Sequence, residues 1–174
     1  MKIAEIALNS VQTHVQNKPT LYVAIGPSGS GKSTYYRKLH EKNPDLQIHS
    51  LDQLKLDWYD KNDYTNAWKL ASEDKGFKVR AQKAFLDLLD TGKDVFVDNT
   101  GLSVKRRKFY IENAKRHGYK TIGVVFPIDY ETLIVRQKTR TDKTVPIGAV
   151  EHQYKILQQP SEGEFDEIVK SEQS

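Results

Sequence analysis

Cysteine is absent from the 174 residues. That excludes a disulfide framework, a thiolate metal site and a thiol nucleophile, and it leaves the redox compartment unspecified. No apolar run is long enough to cross a bilayer. The opening residues Lys2-Ile3-Ala4-Glu5-Ile6-Ala7-Leu8 mix charge into their apolar positions, unlike a secretory signal. These absences predict a cytoplasmic chain with no membrane partner. His14, His40, His49, His117 and His152 are scattered without metal-ligand spacing and read as surface or capping residues. Internal repeats and low-complexity linkers are lacking too, and the length suits one compact domain spanning 1–174.

Charge is unevenly spread. The last fifteen residues hold Glu162, Glu164, Asp166, Glu167 and Glu172 against Lys170, so the preceding residues carry more than the whole chain's net +4. Basic residues gather at Lys105-Arg106-Arg107-Lys108, with Lys115, Arg116 and Lys120, and again at Arg136, Lys138, Arg140 and Lys143. Such clusters suit a polyanion; a solvated helix face explains the first equally well.

Apolar periodicity alternates between strand and helix. Ile3, Ile6, Val11 and Val15 recur at helical spacing, predicting an extra N-terminal helix over 1–17. Apolar, β-branched runs predict strands at Leu21–Ile25, Leu46–His49, Asp94–Asp98, Tyr119–Phe126 and Phe165–Val169. Helices are predicted over Thr34–Glu41, Leu51–Tyr59, a long segment with Phe77, Ala81, Phe85 and Leu88 on one face, Ser103–His117, Asp129–Arg140 and Pro146–Gln159. Asp60–Thr65 reads as an irregular connection. Strands alternating with helices predict an α/β fold, a parallel sheet with helices on both faces.

Between the first strand and its helix lies Gly26-Pro27-Ser28-Gly29-Ser30-Gly31-Lys32-Ser33, which fits the phosphate-binding P-loop pattern at every fixed position. Its glycines let successive N–H groups turn into an anion-sized nest, and the following helix adds its positive end. Gly26 to Ser33, with Thr34, are therefore the expected set binding a nucleoside triphosphate. Lys32 reaches the β- and γ-phosphates and Ser33 takes a place on Mg²⁺.

A guanine-reading Asn-Lys-x-Asp is missing after this loop, and Asp98 is followed by Asn99 rather than a water-activating Glu. Small-kinase chemistry remains. Asp52, just past the second strand, reads either as a base for an attacking hydroxyl or as a helix cap. Asp98 ends the next strand and reads either as a group holding Mg²⁺ through water or as a turn residue. Arg136 and Arg140 form an i, i+4 pair on one predicted helix face, suited to neutralising a transferred phosphoryl group.

The loop, Asn43-Pro44, Asp52-x-x-Lys55, Val97-Asp98-Asn99-Thr100, Arg106-Arg107 and the string from Arg136 through Arg140, Lys143 and Val145-Pro146-Ile147 occur in this order. With them the chain resembles the kinase domain of phage-type polynucleotide 5′-hydroxyl kinases, from about Leu21 to Tyr154. The resemblance implies a P-loop kinase with a helical lid over about 136–146, DNA or RNA as substrate, and ATP with Mg as cofactors. It implies Asp52 as general base, Lys32 and Arg140 as transition-state stabilisers and Arg136 in the ATP lid. Val145 would lie near the acceptor nucleobase, and Asp98 and Thr100 in the acceptor site. Where that family carries an arginine gripping the acceptor 3′-phosphate, this chain has Lys55, a point charge without the bidentate fork. Trp58, Tyr59, Tyr64 and Trp68 read either as base-stacking platforms or as core. The alternatives are a kinase of a hydroxymethylated base, a nucleoside or a small metabolite, and a nucleotide-gated binding module without chemistry.

Overall fold

Successive side chains of the first apolar run point to opposite faces of a sheet. Leu21, Val23 and Ile25 enter one core with Phe85, Leu89, Ile111 and Ala114. Tyr22 and Ala24 enter another with Phe96, Phe126, Tyr35, Tyr36 and Leu39. The computed structural model describes residues 17–172, and the helix expected at 1–17 falls almost wholly outside them. Its elements are β1 (Thr20–Ile25), α1 (Lys32–Lys42), β2 (Gln47–His49), α2 (Leu51–Trp58), α3 (Tyr64–Glu73), α4 (Phe77–Asp90), β3 (Val95–Val97), α5 (Val104–Arg116), β4 (Lys120–Val125), α6 (Tyr130–Thr139), α7 (Ile147–Ile156) and β5 (Glu167–Lys170).

The sheet order is β2-β3-β1-β4-β5, and every pairing is parallel. Leu21 sits opposite both Val95 and Thr121, so β1 is central and buried on both faces, as its lack of polar alternation requires. The chain runs from β1 to β2 and β3 on one side of the sheet and then crosses from β3 to β4 on the other, and such a reversal of strand order opens a crevice at the carboxyl ends of the strands. The expected α/β architecture, with helices on both faces, is present. Among the described residues no helix is long and apolar enough to cross a membrane.

Several boundaries differ from expectation. Tyr64 and Thr65 are helical because the Asp63 carboxylate caps α3 by accepting from the Asn66 N–H. The expected long helix is preceded by a break, where Asp74 accepts from the Gly76 N–H and α4 starts afresh at Phe77. Pro146–Gln159 ends early, at Ile156, because residues 158 and 159 are bound elsewhere. The Gln158 N–H donates to the Leu102 carbonyl, and the Gln158 and Gln159 carbonyls accept from Arg107. Arg136 and Arg140 do not share a helix: α6 stops at Thr139, and Arg140 is extended, with ψ 136°.

Two buried polar residues also correct the sequence reading. Arg107 is no part of a surface patch. Its side chain is fully buried, paired with Glu164 at 2.6 Å and bonded to the Gly101 carbonyl, so it pins the segment leading to β5. His49 is neither exposed nor a cap. It is 2% exposed and packs at a tilt against Phe85 and Tyr110, and burial pushes its imidazole down to about 4. The unfolded chain, with a histidine near 6.5, therefore binds this proton more readily than the fold does. The stability tied to a neutral His49 is complete above about pH 6.5 and is lost as the pH falls towards 4, about 3 kcal/mol in all. His49→Phe is expected to flatten that part of the acid-side loss, measured as urea midpoints from pH 7 to pH 4. An unchanged slope contradicts the assignment.

Candidate active site

Gly26 leaves β1 so close to the following turn that a Cβ there would lie 2.5 Å from the Ser30 hydroxyl. Gly29 and Gly31 take φ of +88° and +103°, a region L side chains avoid. The chain thus bends into a concave loop and enters α1 directly after Gly31, with the N–H groups at the helix start lacking any side-chain cap. The buried Ser30 hydroxyl has no hydrogen-bond partner among the described residues. The Gly26 N–H donates to the Thr100 carbonyl, which ties the loop to the end of β3.

Lys32 is 8% exposed and donates to the Gly26 and Pro27 carbonyls at 3.0 and 2.8 Å. Burial pushes its ammonium down to about 8, with Asp98 opposing and Lys143 and Arg140 reinforcing the shift. The Ser33 hydroxyl donates to Asp98 Oδ2 at 3.0 Å, so Asp98 faces the phosphate loop. No group of three metal-capable side chains occurs among the described residues. Ser33 and Asp98 supply two oxygens, which fits a Mg²⁺ that takes its remaining ligands from phosphates and water.

Asp52 is not the cap of α2. Ser50 performs that role, accepting from the Gln53 N–H, which releases Asp52 in the first turn to face the crevice. Its Oδ1 accepts from Trp68 Nε1 at 3.4 Å and lies 3.9 Å from the Lys55 ammonium. Its Oδ2 accepts from the Tyr64 hydroxyl at 3.4 Å and from Lys143 at 3.2 Å. Burial opposes ionisation, but Lys143, by charge and hydrogen bond, with Lys55 and Trp68, outweighs it and holds the carboxyl below the usual range. Burial and the Asp52 charge push Tyr64 up to about 12, so it stays a donor.

Lys55 lies 3.6 Å over the face of Trp68, its side chain 12% exposed. The four aromatics separate into two groups. Tyr64 and Trp68 line the crevice, while Trp58 meets Phe77 edge to face beneath the Arg80 guanidinium and Tyr59 bonds Asp74, away from it.

The α6–α7 connection lines one side of the crevice. Arg140 pairs with Asp142 through Nε at 2.6 Å and Nη2 at 3.1 Å and donates from Nη1 to the Ser28 hydroxyl at 2.9 Å. Arg136 reaches the Gly29 carbonyl at 3.5 Å. Gln137 donates to the Val145 carbonyl at 2.6 Å, which holds the connection to α6. Gln153 of α7 accepts from the Ser28 N–H at 2.9 Å, a contact no sequence pattern announced. Asp142 was likewise unmarked, although its place two residues after Arg140 is the available signal. Asn99 accepts from the Leu51 N–H and donates to Tyr110, fixing the start of α2 beside β3.

The expected residues Ser28–Thr34, Asp52, Lys55, Asp98, Thr100, Arg136, Arg140 and Val145 line one crevice of about 1380 Å³. Nine basic side chains against four acidic ones line it, so it attracts anions.

A family model described as an AAA domain matches residues 21–160. Among solved structures, a gluconokinase from Sinorhizobium meliloti 1021 is similar at TM-score 0.60 and 20% identity, covering 89% of this chain and 83% of that one. A chain of the Pnkp1/Rnl/Hen1 RNA repair complex is similar at TM-score 0.65 and 20% identity over 84% of this chain, which spans 46% of that one. A fungal RNA kinase is similar at TM-score 0.62 and 16% identity, covering 90% of this chain and 76% of that one. At these identities the likeness is one of fold, the P-loop kinase fold.

Proposed function

The chain belongs to the AAA-domain family matched over most of its length, and from that premise we propose that it is an ATP-dependent kinase phosphorylating the 5′-hydroxyl end of DNA or RNA. The observation that carries this reading is that Asp52 and residues Ser28–Ser33 of the phosphate loop line a single crevice. A carboxylate able to take a hydroxyl proton thereby faces a nest able to hold a triphosphate.

The acceptor oxygen attacks the γ-phosphorus while its proton passes to Asp52. The bond from that phosphorus to the β–γ bridging oxygen breaks, and ADP departs with the bridging oxygen. The loop amides and Lys32 hold the β- and γ-phosphates, and Arg140 neutralises charge on the moving group. Ser33 and Asp98 would hold Mg²⁺, which when bound neutralises phosphate charge. Residues 136–146 act as the lid, with Arg136 towards the nucleotide and Val145 towards the acceptor. The excess of basic side chains and the exposed Trp68 support a nucleic-acid acceptor. A fungal RNA kinase and a chain of an RNA repair complex are among the similar folds, in keeping with it.

One observation favours a second reading, a small hydroxyl acceptor. Lys55, expected to grip an acceptor phosphate, is engaged by Trp68 and Asp52. The test offers γ-labelled ATP with 5′-hydroxyl oligonucleotides, hydroxymethyl-base duplexes, nucleosides and sugars. Label at oligonucleotide 5′ ends is the expected result. Label confined to a nucleoside or sugar overturns the acceptor assignment.

A further inference from the structure

The Asp52 carboxylate is held from two sides. Trp68, Tyr64 and Lys55 reach it from α2 and α3, at 3.4, 3.4 and 3.9 Å. Lys143 reaches it from the α6–α7 connection, at 3.2 Å. That contact is the shortest of the four and the one in which a full charge donates within hydrogen-bond range, which makes it the strongest restraint on the carboxylate. Lys143 lies three residues beyond Arg140, whose guanidinium is fixed by Asp142 and Ser28 at the phosphate loop.

We propose that Lys143 is a positioning residue for Asp52. From the α6–α7 connection it orients Oδ2, so that one short segment sets both Arg140 at the phosphate side and the carboxylate at the acceptor side. The proposal rests on the reading of Asp52 as the base. Charge-assisted hydrogen bonds are directional, and without Lys143 the carboxylate keeps two long contacts and a distant cation. Lys143 acts here through its bonded partner, Asp52. The remaining charged or titratable groups around Asp52 are Lys55 from α2, Tyr64 from α3 and, by longer-range charge, Lys32 from the phosphate loop.

The chain has two tryptophans, so in a Trp58→Phe background Trp68 alone reports. Its indole N–H is bonded to Asp52, so its fluorescence is expected to follow protonation of that carboxyl without any substrate. Lys143→Met is expected to raise the midpoint by about one pH unit, because an opposite charge is lost, and Lys143→Arg to return it. Asp52→Asn abolishes the titration and so identifies it. In turnover, Lys143→Met is expected to lower kcat/KM for the acceptor about tenfold, the scale of one charged hydrogen bond. The KM for ATP should stay within about twofold, and Lys143→Arg should recover most of the loss. A midpoint equal in Lys143→Met and its parent overturns the proposal, as does an effect confined to ATP. An Asp52→Asn enzyme at parental rate removes the underlying reading, whereas an inactive one beside an unmoved midpoint removes only the role of Lys143.

Discussion

Substitution of Lys32 by methionine is expected to lower phosphoryl transfer by about 10³-fold or more, the scale of losing a preorganised charge at a developing anion in a water-poor site. Methionine keeps the length and apolar stem of the side chain, so the two carbonyls that Lys32 now bonds, Gly26 and Pro27, are the groups left without their donor. Both belong to buried residues, so some stability goes with the donor, but the loop takes its shape from glycine conformations and the Gly26–Thr100 bond, and the fold should persist. Single-turnover transfer from γ-labelled ATP, with thermal unfolding alongside, measures both. Transfer within a few-fold of the parent contradicts the role of Lys32.

Asp52→Asn is expected to reduce kcat by roughly 10²–10⁴-fold, the range for a positioned base. Asparagine is nearly isosteric, and because Ser50 caps α2 the helix does not depend on the carboxylate. The amide cannot take a proton, and it faces Lys143 and Lys55 without their counter-charge. Affinity for ATP should change little, since the phosphate loop lies across the crevice. Equal loss of ATP affinity and turnover, or unfolding of the variant, would assign Asp52 a structural role instead.

The sheet, the phosphate loop and most candidate residues could be read from local pattern because each rests on a local cause. Glycines at fixed spacing, β-branched runs and the caps Ser103 and Asp129 declare themselves within a few residues. The misreadings have non-local causes. Arg107 looked like surface charge because its partner Glu164 is 57 residues away. His49 looked exposed because the rings that cover it come from α4 and α5. Arg140 was placed on a helix because the periodicity of α6 continues through it, whereas its guanidinium is drawn to Ser28, 112 residues earlier. Gln153 and Asp142 carry no motif at all; only the meeting of α7 and the α6–α7 connection with the phosphate loop gives them a role.

The position of β1 in the sheet bears on how the chain is made. Leu21 pairs with Val95 and with Thr121, and β1 has no strand partner nearer in sequence. A nascent chain emerging from the ribosome at about 5–20 residues per second therefore holds its phosphate loop unsupported for roughly 4–15 s before the first flanking strand arrives, and longer before the second. During that interval the apolar face of Leu21, Val23 and Ile25 has only local helices to shelter it. Folding of the nucleotide site is thus a late, cooperative event set by long-range pairing. Truncated or stalled chains that end before β4 will be targets for holdase chaperones rather than partial nucleotide binders.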